Sequence, residues 1–214
     1  DVGATASAVG TVSSIATADA VEYAHAAREL GADAILLGSP PYAEPSEREN
    51  AMHALAVDRA ANLPIVLYNY PHRMAVNMGE EFLSLVSRSP NFQAIKESSG
   101  SMERLHMLAR DFPHIQISCG YDDQALEFFA WGATSWICAA ANCLPSEFVT
   151  FYKACVVEGN FVKGRRIMSA ILPLMRVFGQ GKFTQCIKHL CQMDGIDAGY
   201  TRGPLRDINK EERR

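Results

Sequence analysis

The chain has 214 residues and a mass of 23.5 kDa, enough to bury a sizeable core as one domain or as two small ones. Apolar residues make up 48% and charged residues 21%, the balance of a globular chain, which excludes a disordered one. A formal charge of −4, a pI near 5.9 and scattered Lys and Arg residues give no electrostatic basis for binding nucleic acid.

Short apolar runs and amphipathic segments alternate along the chain. The run Ser7–Val12 is a candidate first strand. Thr17–Leu30 follows as a helix that Thr17 can cap, and Gly31 stands where a C′ glycine is expected. Ala34–Gly38 (AILLG) is the next strand, and Ser46–Ala61 the next helix, opened by the capping-box spacing of Ser46 and Glu49. Strands are expected at Ile65–Tyr68, Gln93–Lys96, Ile115–Cys119 and Ser135–Ala139, with helices between them at Gly79–Ser87, Ser101–Asp111 and Asp122–Trp131. Asp122 or Asp123 would cap the last of these helices.

Each strand is short, aliphatic and without a polar alternate face, as suits a parallel sheet with right-handed βαβ crossovers. From Ser146 the pattern changes to three consecutive helices, Ser146–Glu158, Phe161–Phe178 and Lys182–Met193. Residues 1–145 therefore read as an α/β portion and 146–214 as a C-terminal helical extension.

A parallel sheet either closes into a barrel or stays open as a doubly wound fold. No GxGxxG follows the early strands, and Gly179–Thr184 imitates a phosphate loop only superficially, with Phe183 where a hydroxyl should hold magnesium. A (β/α) barrel is the better expectation. Its reacting groups would lie at the C-terminal ends of strands and in the loops after them.

Reading those positions in order singles out Lys96, which ends a strand. Such a lysine either pairs with an acidic group, such as Glu97 or one across the barrel, or loses its charge and becomes a nucleophile for a carbonyl. Tyr68 ends the preceding strand and can move a proton without carrying permanent charge. As an alternative, it is a barrel-lining aromatic. Arg73 either forks onto a substrate carboxylate or is a surface arginine. Asp122 and Asp123 could also hold a substrate hydroxyl.

The six histidines show no HxH or HExxH spacing, so no metal site is expected; only His72 falls beside the proposed site. The six cysteines form no CxxC pair. Buried free thiols of a reducing cytosol fit them better than a disulfide framework, and Cys138 and Cys143 read as packing residues. No apolar stretch approaches the roughly 20 residues of a membrane span, and no secretory signal is visible.

The run Tyr68-Asn69-Tyr70-Pro71-His72-Arg73, followed 28 positions after Tyr68 by Lys96-Glu97-Ser98-Ser99-Gly100, resembles the dihydrodipicolinate synthase and N-acetylneuraminate lyase superfamily. Supporting likenesses are Gly31–Tyr42, Cys119–Asp122, Gly132–Asn142 and the three closing helices. The resemblance implies a (β/α)8 barrel of which about six βα units are present, with a C-terminal three-helix extension. It implies Schiff-base chemistry on pyruvate or a related 2-oxo acid, without a cofactor.

By the same resemblance Lys96 forms the imine, Tyr68 shuttles protons and Tyr42 completes the relay, often close to a neighbouring subunit's site. Arg73 meets the second substrate, as in the synthase branch, and Gly120 and Ile137 line the pyruvate pocket. The family's tyrosine pair is here Pro41-Tyr42. The first two strands, with the Gly-Thr-Thr loop that grips the substrate carboxylate, have no counterpart, so the chain is expected to omit an N-terminal part. A cytoplasmic homotetramer or dimer is implied. Rival functions are a 2-keto-3-deoxy sugar-acid dehydratase or aldolase, a hydroxypyrroline-carboxylate deaminase, and an inactive relative with a binding or regulatory role.

Overall fold

Aliphatic runs become strands when both sheet faces can be covered, and here they give β1 (Val9–Val12), β2 (Ala34–Gly38), β3 (Ile65–Asn69), β4 (Phe92–Glu97), β5 (Gln116–Cys119) and β6 (Ser135–Trp136). The computed structural model describes residues 6–212. They divide into two compact units: residues to Gly120 with Trp131–Trp136, and Tyr121–Ala130 with Ile137 onward.

In the first unit all six strands are parallel and pair in chain order, β1-β2-β3-β4-β5-β6. A doubly wound sheet would reverse its strand order at a switch point. An unbroken sequence of parallel strands with helices between them is instead a run of consecutive units of a (β/α)8 barrel.

Helices α1 (Thr17–Glu29), α2 (Glu47–Ala61), α3 (Pro71–Met74), α4 (Glu80–Val86) and α5 (Met102–Asp111) complete this unit. Ile35, Leu37, Ile65, Leu67 and Ile95 are fully buried on alternate strand positions. Ala51, Ala54 and Val57 of α2, Phe82 and Leu83 of α4, and Leu105 and Leu108 of α5 bring their apolar faces to the core.

Local signals explain most boundaries. Ser46 accepts from the Glu49 backbone N–H while the Glu49 carboxylate accepts from the Ser46 N–H, the expected capping box. Gly31 has φ +78°, the left-handed C′ conformation expected of it. Helix α4 is capped from a distance: Glu47 Oε2 accepts from the Phe82 N–H at 3.0 Å. A methyl group on Gly79 would lie 2.3 Å from Glu47 Oε1, so this cap needs a glycine at the helix entrance.

Other boundaries differ from expectation. Thr17 is not a cap; the N-cap of α1 is Ala16, without a side-chain bond, and the Thr17 hydroxyl lies 3.0 Å from His53 Nδ1. Strand β6 stops at Trp136 instead of Ala139. The segment Pro71–Met74, for which the sequence predicts no element, is a single helical turn with Pro at its start, where a missing N–H costs nothing.

The second unit contains α6 (Ala125–Ala130), α7 (Pro145–Tyr152), α8 (Phe161–Gly179) and α9 (Phe183–Met193). A 3-10 turn at Asp122–Gln124 precedes α6, and a π turn at Lys153–Val157 continues α7. Asp122 and Asp123 are therefore inside the first turn; the N-cap is Tyr121, which makes no side-chain cap bond. Helix α8 packs on α6, α7 and the π turn, and the rings of Phe129 and Phe151 meet at 5.6 Å. Asn160 caps α8 through the Lys163 N–H at 3.0 Å. Gly164 allows the π turn to approach, since an added Cβ would lie 2.3 Å from Cys155 Sγ.

All six cysteines are free thiols. Among the described residues no helix is long and apolar enough to cross a membrane.

Candidate active site

Strands β3 and β4 end side by side, and their register pairs Tyr68 with Lys96 and Asn69 with Glu97. Alternation along a strand sends the members of each pair to one face and the two pairs to opposite faces. On the first face Lys96 Nζ stands 4.2 Å from the centre of the Tyr68 ring. A cation over a phenol ring is held by the ring's quadrupole, and the same approach leaves the phenol within reach of chemistry at the amine.

Tyr68 stacks on Tyr70, ring centres 5.6 Å apart, and Tyr70 meets the edge of His72 at 6.3 Å. His72 Nε2 lies 3.1 Å from the Ser99 carbonyl oxygen, so that nitrogen carries the proton and donates.

Gly120 follows β5 and closes the other side of Lys96. Its N–H donates to the Glu97 carbonyl at 3.0 Å, and its own carbonyl accepts from Ser98 Oγ at 2.8 Å. A Cβ at Gly120 would lie 2.0 Å from Ser98 Oγ, 2.8 Å from Lys96 Cγ and 2.9 Å from the Glu97 carbonyl oxygen. The glycine is there because β5 and the lysine stem come too close for any side chain.

On the opposite face the Glu97 carboxylate is fully buried and heavily bonded. Asn69 Nδ2 donates to both of its oxygens at 3.1 and 2.9 Å, Ser99 N–H at 2.7 Å and Arg104 Nε at 3.2 Å. The pairing of Glu97 with Lys96 held open by the sequence is thus not formed: Glu97 turns away from the lysine and takes Arg104. Asn69 and Arg104 are the two side chains of this cluster to which the sequence assigned no role. The strand period would have placed Asn69 beside Glu97 once the register was known.

Arg73 is exposed on α3, directly after the strand that carries Tyr68. Tyr42 lies in the loop after β2, 90% exposed and with φ 68°, and Glu44 two residues on also has positive φ. Ile137 belongs to the second unit and is exposed. In that unit burial pushes the Cys138 thiol far above its usual range, and the Asp122 carboxylate adds to the effect. Burial likewise pushes Cys143 up to about 11, so neither is a ready thiolate at neutral pH. Among the described residues no group of three or more His, Cys, Asp or Glu side chains could hold a metal ion.

A partial (β/α) barrel with a lysine and a tyrosine paired at the ends of adjacent strands defines the class. A family model described as the dihydrodipicolinate synthetase family matches residues 2–214. The 4-hydroxy-tetrahydrodipicolinate synthase of Exiguobacterium sibiricum is 33% identical over 190 residues, covering 88% of this chain and 64% of the relative. That of Methanocaldococcus jannaschii is 33% identical over 199 residues, covering 92% and 68%. Among solved structures, a dihydrodipicolinate synthase aligns with a TM-score of 0.93 and 31% identity over 99% of this chain and 73% of that one. A chloride-inhibited dihydrodipicolinate synthase from Acinetobacter baumannii complexed with pyruvate gives 0.90 and 26%, with the same coverage. The chain belongs to the dihydrodipicolinate synthetase family. It spans about two thirds of the length of these curated relatives.

Proposed function

We propose that this chain carries Schiff-base chemistry on pyruvate or a related 2-oxo acid, as a lyase or synthase of the 4-hydroxy-tetrahydrodipicolinate synthase type. The observation that carries the reading is the placement of Lys96 Nζ 4.2 Å over the Tyr68 ring at the C-terminal ends of two adjacent parallel strands. Family membership and the pyruvate-bound neighbour support it.

In this reading the unprotonated Lys96 amine attacks the C2 carbonyl carbon and the carbonyl oxygen takes up a proton. The resulting carbinolamine then expels that oxygen as water. The protonated imine draws electrons from C3, which loses a proton and becomes the carbon nucleophile that joins an aldehyde; the reverse sequence cleaves the bond. Tyr68 is assigned the proton transfers, with Tyr42 completing the relay. Arg73 is assigned the carboxylate of the second substrate, and Gly120 the pyruvate wall beside Lys96. The lysine, the two tyrosines and Arg73 form a set that needs no cofactor.

The helices of residues 146–214 form the extension to the barrel portion in this assignment. The assembly is a cytoplasmic homotetramer or dimer, which light scattering would measure.

Borohydride trapping in the presence of pyruvate, read by intact mass and peptide mapping, tests the reading. The expected result is one pyruvyl adduct on Lys96, lost in Lys96→Ala. No adduct from the wild-type protein overturns it. Assays that pair pyruvate with aspartate semialdehyde, or offer keto-deoxy acids or hydroxypyrroline carboxylate, then assign the branch.

A further inference from the structure

We infer that the buried cluster of Asn69, Glu97 and Arg104 is the positioning device for Lys96, setting both the strand face it occupies and its spacing from Tyr68. The inference rests on the assignment of Lys96 as the nucleophile, and the cluster itself touches no substrate.

Besides the strand that carries it, three pieces of chain meet this one carboxylate. Asn69, the last residue of β3, reaches both oxygens, at 3.1 and 2.9 Å. Glu97 itself is the last residue of β4. The turn after β4 returns the Ser99 N–H to it at 2.7 Å, and the Ser99 carbonyl holds His72. Helix α5 supplies Arg104.

The same donors reach further. Asn69 Oδ1 accepts from the Met78 N–H at 3.0 Å, and Arg104 Nη2 donates to the Met78 carbonyl at 2.9 Å. Both backbone groups of Met78 are thus fixed at the point where the loop bearing Tyr70, His72 and Arg73 rejoins the scaffold ahead of α4.

A carboxylate with no solvent exposure is a costly way to make a plain core contact. What it supplies here is directional: the two bonds from Asn69 are satisfied only in one register of β3 against β4, and those from Ser99 and Arg104 hold the carboxylate in place to receive them. A slip of one residue would carry Lys96 to the Glu97 face and break the pairing with Tyr68. Because consecutive residues are back to back, fixing Glu97 and Asn69 fixes Lys96 and Tyr68.

The test compares wild type with Arg104→Ala, Arg104→Lys and Glu97→Gln in the full chain, each checked for folding by thermal melting. Two readouts are taken: kcat and KM for pyruvate, and the pH profile of Lys96 acetylation by acetic anhydride, mapped by peptide mass. In folded Arg104→Ala, kcat should fall roughly a hundredfold, the scale of a misplacement of about 1 Å, with KM little changed. The Lys96 labelling profile should shift along the pH axis, and Arg104→Lys should recover part of both effects. Where Arg104→Ala does not fold, Arg104→Lys, which keeps charge and bulk but not the two-pronged reach, decides.

A folded variant with wild-type kcat and a wild-type labelling profile overturns the inference. Failure of wild-type Lys96 to trap pyruvate overturns the Schiff-base reading instead, and the labelling profile still reports on the clamp.

Discussion

At the scale of single residues, Tyr68 and Gly120 make different demands on the site. Tyr68→Phe keeps the ring under Lys96 Nζ and removes only the group that can carry a proton. Turnover should fall by about 10²- to 10⁴-fold in a variant that still folds, which steady-state kinetics and calorimetry on the same preparation would show. Gly120→Ala should cost both stability and activity, because one of the three close neighbours is a backbone oxygen that cannot step aside. Overpacking of this kind costs about 1–3 kcal/mol, readable from the urea midpoint. Lys96 and Tyr68 were legible because spacing and strand-end position depend on local sequence alone. The partner of Glu97 was not, because Arg104 lies seven residues on, in a helix whose facing depends on where its first turn starts. The pairing of Lys96 with Glu97 could have been discounted from the strand period, since neighbours on a strand point apart.

At the scale of elements, the capping box of α2 and the end of α3 offer opposite tests. Ser46→Ala removes the acceptor for the Glu49 N–H and the partner that holds the exposed Glu49 carboxyl below its usual range. A loss of about 1 kcal/mol is expected in chemical denaturation. Ala75, the C-cap of α3, sits at φ 61°, where a β-carbon is crowded. Ala75→Gly should raise stability by on the order of 0.5–1 kcal/mol, the relief of strain being partly offset by a freer unfolded chain. These elements also mark what a sequence can tell. The five strands from β2 to β6 and the long helices stood out by period and by turn residues. Helix α3 did not, because four residues give no helical period to read. The remote cap that Glu47 places on α4 is a contact between helices and leaves no local mark.

At the scale of the whole molecule, His53 couples stability to pH. It is buried in α2, its Nδ1 meets Thr17, and its Nε2 has no hydrogen-bond partner among the described residues. Burial holds its pKa below the ordinary value of 6.5. The unfolded chain therefore takes up a proton near that ordinary value while the folded chain resists it. Stability should be constant above pH 7 on this account and fall as the pH drops from about 6.5 toward the lower folded-state pKa. Melting temperatures between pH 7.5 and 5 should show the decline, and His53→Gln should flatten it. The parallel, sequential sheet was legible from the strand–helix alternation and the absence of a dinucleotide loop. The interleaving of the compact units was not, because a reading along the chain draws its boundary where the pattern turns all-helical. The packing of α6 with α8 joins segments that the chain separates.

The back-to-back arrangement at the ends of β3 and β4 has an evolutionary corollary. The buried cluster inferred to position the lysine lies on one side of the sheet, and the amine with the Tyr68 ring lies on the other. Side chains around the amine are thereby free to diversify without loosening their foundation. A library randomised on the Tyr68 face should yield folded proteins far more often than one randomised over Asn69, Glu97 and Arg104, and new specificities would be sought in the first.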